Sequence, residues 1–284
     1  MTEEGADFDR QDEEADQFQR TRLMLGDEGV ERLRAACVMV VGLGAVGGYA
    51  VEALARAGIG RFRIVDFDVV QESNINRQLL ATHETVGQAK ADLAEARIHA
   101  INPTARVEKR RALVNAGTVA SLFEGEWREP PDYVVDAIDT LGSKVALIAE
   151  TLRRRVPLIS SMGAGLRFDP SLIRVGRLTD VTNCPLSAQL RKRLRRVGVN
   201  TDDVRCAYSP EPIRDALRRG DERFKRFDPA PAPPPDSVGK DYPQGRPRNT
   251  LGTLSTIVGI FGLLVAHEVI LDISNARPGS IKSN

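Results

Sequence analysis

The segment CVMVVGLGAVG, residues 37–47, places five apolar residues directly before a glycine-rich loop, and this feature limits the possible folds most strongly. An apolar run this short is typical of a parallel strand buried on both faces. The glycines Gly42, Gly44 and Gly47 match G-x-G-x-x-G, and apolar residues at helical spacing follow over 46–57. A strand, a glycine loop and a helix predict a nucleotide site, with phosphate at the helix start. A purely structural glycine turn is the alternative.

Strand-like and helix-like segments continue to alternate after this loop. The predicted strands cover 61–66, 105–110, 133–139 and 156–163, and the predicted helices cover 18–35, 86–101, 115–124 and 142–155. This alternation predicts an α/β fold, namely a Rossmann-like doubly wound sheet that is mostly parallel. Ligands of such sheets lie at the carboxyl ends of the strands, where Gly42, Asp66 and Asp139 are all expected.

The other segments differ in composition and suggest separate roles. Residues 1–17 are charged and poor in apolar groups, so we expect disorder there, whereas 18–180 form the nucleotide-binding domain. Residues 181–227 form a basic substrate-binding segment, with 12 Lys and Arg against 6 Asp and Glu over 188–226. Seven prolines in 228–250 indicate an extended, mobile loop. The chain thus combines an α/β domain with an extra basic and proline-rich region.

The apolar segment 251–274 is interpreted as a core helix that completes the fold. Its residues 251–271 approach the roughly 20 apolar residues that span a bilayer. Thr253 and Ser255 lie near its start and Glu268 lies near its end, which favours a buried helix. Peripheral or single-span membrane association stays an alternative.

Net charge and cysteine content narrow the class of protein. A net charge of +1 does not by itself indicate a nucleic-acid partner. The three cysteines form no CxxC pair, which argues against a Cys₄ zinc site and a disulfide framework and suits a reducing cytoplasm. The polar N-terminal residues do not resemble a secretory signal. We therefore expect a cytoplasmic protein without structural zinc.

A group of polar residues follows the second predicted strand. Asp66 lies 24 residues after Gly42, the usual place for an acid that binds a ribose, although a strand-end cap would also explain it. Asn74, Arg77 and Gln78 come too soon afterwards for another strand–helix unit, so they must lie on a loop at the same crevice. Arg77 can bind a phosphate through two hydrogen bonds, and Asn74 can orient it. A nicotinamide dinucleotide has no terminal triphosphate to hold, whereas ATP does.

Two further charged groups fit a triphosphate. Lys90, on the helix after the polar loop, adds a positive charge. Asp136 and Asp139 lie in DAID at the end of a predicted strand. Mg²⁺ takes few protein ligands and shares the phosphates of its substrate, and we favour Asp139 as its ligand. The expected cofactors are ATP and Mg²⁺, with a monovalent cation as an open addition.

The pieces GLGAVGGYAVEALARAGIGRFRIVDFDVV, SNINRQ, VGQAK and DAID, in this order, resemble the E1/ThiF-type adenylating enzymes over roughly residues 18–175. The resemblance implies transfer of AMP from ATP to a carboxylate. It assigns the ribose to Asp66 and magnesium to Asp139. It also implies a homodimer in which Arg20, in FQRTRLMLG, reaches the site of the partner subunit. The implied phosphate ligands are Asn74, Arg77 and Lys90.

Within this superfamily, most of the remaining chain is similar to the tRNA threonylcarbamoyladenosine dehydratases. The pieces that resemble them are FQRTRLMLG, the segment from PLISSMGAG to RKRLRR, CAYSPEP and GTLSTIVGIFG. Their activity implies ATP-dependent cyclisation of N6-threonylcarbamoyladenosine at position 37 of tRNA, through an acyl adenylate. Cys184 departs from the family, which has an acid before Pro-Leu. The alternative is adenylation of the C-terminus of a ubiquitin-like sulfur carrier, although those enzymes usually have two CxxC pairs.

This resemblance leaves the substrate side more open than the ATP side. tRNA is the expected partner, and Arg193, Arg195 and Arg196 are expected to contact its backbone, although a solvated helix face would look the same. Cys206 is either structural, or part of the substrate surface, or the nucleophile of a transient thioester. Proteins that transfer sulfur remain open as further partners. A nucleotide-binding adaptor and an NAD(P) oxidoreductase are further alternatives, and the oxidoreductase leaves SNINRQ unexplained.

Overall fold

Five parallel strands form the centre of the computed structural model, which describes residues 16–124, 129–213 and 251–276. They are β1 (Cys37–Val41), β2 (Arg61–Val65), β3 (Arg106–Arg110), β4 (Tyr133–Asp136) and β5 (Leu158–Ser161). The strands β1, β4 and β5 have no exposed residue, because both faces of the sheet are covered. Chain order along the sheet reverses between β1 and β4, which creates the crevice where such folds bind ligands. The predicted α/β, mostly parallel sheet is confirmed.

Two short strands extend the sheet beyond the predicted series. They are β6 (Arg174–Arg177) and β7 (Arg205–Tyr208), and the full order is β3-β2-β1-β4-β5-β7-β6. Strand β7 is parallel to β5, and β6 is antiparallel to β7 at the edge. Neither strand is among those predicted from the sequence, the last of which covers 156–163. The edge strand RVGR has no buried residue, so it lacks the apolar run that revealed the other strands.

Helices cover both faces of the sheet. Helices α1 (Gln19–Ala35), α2 (Gly47–Ala57) and α3 (Lys90–Ile101) pack on one face, and α4 (Leu141–Arg153) and α5 (Pro185–Arg196) pack on the other. Short 3₁₀ turns lie at Glu72–Asn74, His83–Thr85, Val119–Phe123, Pro170–Leu172, Leu178–Asp180 and Thr201–Asp203. Apolar residues on each helix meet the alternating residues of the strands, so two cores flank one sheet.

Helix α6 (Ser255–Ser274) belongs to the first of these two cores. It is long and apolar enough to cross a membrane, but six of its apolar residues are buried in the core: Ile257, Val258, Phe261, Val265, Ala266 and Val269. Gly262 lets it approach α2, since a Cβ there would lie 2.4 Å from the Val46 carbonyl oxygen. Asp272 accepts hydrogen bonds from Tyr133 Oη at 2.9 Å and Arg205 Nη1 at 2.8 Å. The structure thus packs one face of this helix against the core.

Some predicted boundaries need correction. The helix predicted over 86–101 begins only at Lys90, because residues 86–89 pair with the chain near Val70 and form a bridge between Val69 and Ala89. The segment predicted as a helix over 115–124 is only a 3₁₀ turn. Three expectations lie wholly or partly outside the described residues: the N-terminal disorder, the basic segment beyond residue 213 and the proline-rich loop.

Candidate active site

The glycine loop joins β1 to α2 in a conformation that requires glycine. Gly42 has φ +91°, and a Cβ on it would lie 2.8 Å from the Ala137 carbonyl oxygen. A Cβ on Gly47 would lie 1.7 Å from the Gly42 carbonyl oxygen. No side chain caps the start of α2, and although the Gly48 N–H donates to the Gly44 carbonyl oxygen at 3.0 Å, the positive end of the helix dipole favours an anion there. The loop therefore has the geometry expected for phosphate.

Asp66 follows β2 directly and faces this loop. Its side chain is buried, Oδ2 accepts the Leu43 backbone N–H at 2.6 Å, and Oδ1 accepts that of Asp68 at 2.8 Å. Burial raises the pKa of Asp66, although the charge of Lys90 opposes the rise. Lys90 is also buried, and its Nζ lies 3.1 Å from Asp68 Oδ2. The structure thus brings Asp66 and Lys90 together beside the glycine loop.

The polar loop after β2 closes over the glycines. Gln78 is buried, and its Nε2 lies 3.7 Å from where a Cβ on Gly44 would be. Asn74 is buried too, and its Oδ1 accepts the Gln71 backbone N–H at 3.1 Å. That bond engages the Asn74 oxygen in the turn, which leaves its amide nitrogen as the donor for a ligand. Both amides therefore lie where the sequence places them.

Arg77 and Asp139 lie within electrostatic reach of each other. Arg77 is half-buried, and its Nη1 donates to the Ser73 carbonyl oxygen at 2.7 Å and to Asn76 Oδ1 at 2.9 Å. Burial lowers the pKa of Arg77, and the negative charge of Asp139 opposes this. Asp139 itself is exposed. It lies on the loop after β4 and not at the end of the strand, because β4 already ends at Asp136.

Asp136 is unavailable to a metal ion because other groups surround it. Its Oδ2 lies 2.7 Å from Lys144 Nζ and 2.7 Å from Ser160 Oγ, and none of the three residues is exposed. Sequence reasoning missed Lys144 and Ser160. A usable signal was the position of Lys144 at helical spacing from Leu147 on the buried face of α4.

The residues near the glycine loop fit a magnesium ion that is held mainly by phosphates. Within the described parts of the chain, no group of three or more His, Cys, Asp or Glu could hold a metal. A site formed by protein ligands alone is therefore not found there. Mg²⁺ commonly uses one or two carboxylates together with substrate oxygens, and the exposed Asp139 can supply one.

Arg20 lies at the other edge of the sheet. It is exposed in the first turn of α1. Phe18, two residues before Arg20, packs against Gly58, which lies just before β2. A Cβ built on Gly58 would lie 3.2 Å from the Phe18 ring. The glycine loop lies at the opposite end of α2, about 16 Å away along an 11-residue helix. The structure therefore does not bring Arg20 to the crevice of its own subunit.

Cys206 lies in the interior of the sheet. It occupies β7 between Ser160 of β5 and Gly176 of β6, with no exposed surface. Burial raises the pKa of its thiol to about 12, against a weaker opposing effect of Lys144. A buried, protonated thiol is a poor nucleophile. Its position favours the structural interpretation over the thioester and the substrate surface.

The basic residues of α5 are exposed but distant from the glycine loop. Arg193, Arg195 and Arg196 face solvent, while Leu190 and Leu194 anchor the helix in the core. The helix begins near Gly163, which lies beyond the carboxyl end of β5. This is shown by Cys184, the residue before the helix, whose sulfur lies 3.6 Å from a Cβ built on Gly163. It then runs back for about 18 Å over its 12 residues. Its basic end thus lies toward the amino edge of the sheet.

Comparison with known proteins agrees with this arrangement. The model of the ThiF family matches residues 17–284. A tRNA threonylcarbamoyladenosine dehydratase of Bacillus subtilis is 35% identical over 261 residues, which cover 90% of this chain and 94% of that protein. The Escherichia coli dehydratase of the same name is 39% identical over 202 residues, 69% of this chain and 74% of that protein.

A solved structure extends the similarity to three dimensions. The tRNA N6-threonylcarbamoyladenosine dehydratase of Escherichia coli in complex with ATP superposes with a TM-score of 0.74 and 32% identity. The match covers 93% of this chain and 96% of that one. The glycine loop, the sheet order and the family match together lead to one conclusion: this chain belongs to the ThiF family.

Proposed function

We propose that this protein is an ATP-dependent tRNA threonylcarbamoyladenosine dehydratase. The observation that supports it most is the meeting of the polar loop with the glycine loop: Gln78 lies against Gly44, and Asn74 and Arg77 lie on the same turn. These groups exceed what a dinucleotide needs and suit a triphosphate. The similarity to dehydratases over nearly the full length of both chains supports the choice of substrate. Pyrophosphate release that depends on modified tRNA is the test.

ATP binding follows from the position of each group. The ribose hydroxyls donate to Asp66, and the phosphates lie at the start of α2. Arg77, Lys90 and Asn74 neutralise or orient the triphosphate, and Gln78 donates from above the loop. Mg²⁺, when bound, offsets phosphate charge, and Asp139 is the residue that holds it. Arg77 uses only Nη1 for its contacts with Ser73 and Asn76, so Nη2 and Nε are the donors that it offers to a phosphate.

The reaction proceeds in two substitution steps. A carboxylate oxygen of the threonyl group attacks the α-phosphorus of ATP, the bond to the bridging oxygen breaks, and pyrophosphate leaves. The carbamoyl group of the same nucleoside then attacks the activated carbonyl, loses a proton and expels AMP. One water is removed overall, and its oxygen departs in AMP. Because ring closure is intramolecular, the protein contributes positioning and charge and needs no nucleophile of its own.

A homodimer would explain how Arg20 can take part in adenylation. This residue lies at the edge of the sheet opposite the glycine loop, so a role in adenylation requires that it act on the site of another subunit. Beside it, Leu23 and Met24 are 83% and 81% exposed on the same turn of α1. Two large apolar side chains in solvent suit a surface that a second copy covers. We therefore assign Arg20 to the site of the partner subunit.

The basic end of α5 supplies a surface for RNA. Arg193, Arg195 and Arg196 are exposed on its last turn. A phosphate backbone can span the distance from this turn to the crevice, whereas a small substrate cannot. Contacts of this kind act through charge and weaken as salt increases. With helix α6 packed in the core, we assign the enzyme to the cytoplasm.

A further inference from the structure

A buried ion pair lies beneath the loop that holds Asp139. Lys144 Nζ lies 2.7 Å from Asp136 Oδ2 and 3.1 Å from Ser160 Oγ. Ser160 lies opposite Asp136 in the register of β4 and β5, and its Oγ donates to the same carboxylate oxygen at 2.7 Å. All three residues have 0% exposure. Lys144 thus connects the first turn of α4 to the end of β4.

Stability alone does not explain this pair. Removing two charges from water is costly, and apolar residues of similar volume are often as stable in such positions. A buried pair of this kind is therefore weak evidence for a stabilising role. Its geometry, however, points to a second role at the carboxyl edge of the sheet.

The second carboxylate oxygen of Asp136 holds the turn that follows. Asp136 Oδ1 accepts the backbone N–H of Ile138 at 3.1 Å. The same turn is fixed from the other side, since Ala137 N donates to the Val41 carbonyl oxygen at 2.9 Å. Gly42 packs closely against this turn, and a Cβ built on Gly42 would lie 2.8 Å from the Ala137 carbonyl oxygen. The Asp136 carboxylate is therefore one of the contacts that hold the turn leading to Asp139.

We propose that Lys144 is a positioning residue for adenylation. With Ser160, it fixes the Asp136 carboxylate, and Asp136 in turn fixes the loop that presents Asp139 to the triphosphate. The role rests on the proposed function, because it acts on the step in which pyrophosphate leaves. Lys144 touches neither ATP nor tRNA in this account.

The variant Lys144→Met keeps the length of the side chain and removes its charge. The kcat of tRNA-dependent pyrophosphate release should fall about 100-fold, as expected for a small displacement of a reacting group. The KM for ATP should change by less than about threefold, since Asp66, Arg77 and Lys90 are untouched. Hydrogen exchange at the Ile138 backbone N–H should become faster. This last measurement needs no activity.

A matched control is available in the same sheet. Arg63 and Glu108 form another buried ion pair, with Arg63 Nε 2.9 Å from Glu108 Oε2. Arg63 also donates to the Leu122 and Glu129 carbonyl oxygens, each at 3.4 Å. The variant Arg63→Met should therefore lower the melting temperature while keeping kcat and Ile138 exchange near the parental values. If Lys144→Met matches Arg63→Met in both kcat and the rate of Ile138 hydrogen exchange, the positioning role is wrong.

If Lys144→Met does not fold, the double variant Asp136→Asn with Lys144→Met would be measured instead. This pair leaves no charge in the cluster, and Ser160 is then the only one of the two fixing groups that still holds the side chain at position 136. A kcat at least tenfold below the parent, with faster Ile138 exchange, would agree with the proposal, and parental values would overturn it. If the parent itself releases no pyrophosphate with modified tRNA, the proposed function fails. Unchanged Ile138 exchange in the variants would separately reject the positioning of the turn.

Discussion

The backbone N–H of Leu43 donates to Asp66 Oδ2 at 2.6 Å, which ties the candidate ribose ligand to the candidate phosphate loop. Leu43 lies between the first two glycines of that loop, and Asp66 directly follows the neighbouring strand β2. The bond fixes the relative position of the two halves of the nucleotide site before any ligand binds. Such preorganisation reduces the ordering that binding must impose.

The pH dependence of ATP binding should reflect this environment. Burial raises the pKa of Asp66 above its ordinary value of 3.8, and ribose hydroxyls bind its ionised form. As the pH falls, protonation should therefore weaken ATP binding by about tenfold, starting above the pH expected for an ordinary aspartate. Calorimetric titrations of the parent and Asp66→Asn would test this, because the variant lacks the titration of this one carboxyl group. Identical pH profiles would rule out the role of Asp66.

The variant Asp139→Ala should abolish adenylation while ATP still binds weakly. Asp139 is the exposed carboxylate beside Arg77, whereas Asp136 is fully enclosed by Lys144 and Ser160. The exchange of pyrophosphate into ATP is the measurement, and removal of magnesium from the parent should have the same effect. A parental exchange rate in Asp139→Ala at saturating magnesium would contradict the assignment.

Arg20 should act across the interface of a homodimer. Subunits with Arg20→Ala and subunits with Asp139→Ala should each be inactive alone. When they are mixed, one site in each heterodimer receives an intact Arg20 from the partner and keeps its own Asp139. Activity should then return to about a quarter of the parental value, since random pairing makes half the dimers mixed and each has one good site. Heterodimers without activity would show that Arg20 does not act in trans.

Charge reversal at the basic end of α5 should affect tRNA alone. Changing Arg193, Arg195 and Arg196 together to Glu should raise the KM for tRNA strongly and leave ATP binding almost unchanged. Each lost phosphate contact should lower the salt dependence of tRNA binding by about one unit of slope. Binding isotherms at several salt concentrations would measure this. Equal tRNA affinity of mutant and parent at every concentration would make this turn a solvated surface only.

The sequence predicts the centre of the fold well because the central strands are unbroken apolar runs. Strand β1 covers the five apolar residues before the glycine loop, and β2 begins at the predicted residue and ends one residue early. The strands β6 and β7 escape prediction because their sequences, RVGR and RCAY, begin with arginine and contain no long apolar run. RVGR at the edge has two arginines and no apolar pattern. Tertiary pairing, and not local preference, makes it a strand.

The candidate nucleotide site also has a part that local sequence spacing predicts and a part that depends on contacts between distant segments. Spacing along one strand–loop–helix unit predicts that Asp66, Asn74, Gln78 and Lys90 meet the glycine loop. The structure places Asp66, Gln78 and Lys90 beside it, with Asn74 on the turn that leads to Gln78. The contact of Asp136 with Ser160 depends on the register between two strands, and Lys144 adds a third element. No short motif contains all three. The part of the site that one unit forms was predictable, and the part that three elements share was not.

The most direct test of the proposed function compares two tRNAs. One contains N6-threonylcarbamoyladenosine at position 37, and the other has unmodified adenosine there. With ATP and magnesium, the modified tRNA should give one AMP and one pyrophosphate for each nucleoside that loses the mass of one water, and the unmodified tRNA should give neither. Release that requires a carrier protein with a Gly-Gly tail, or no release with the modified tRNA, would contradict the proposed function.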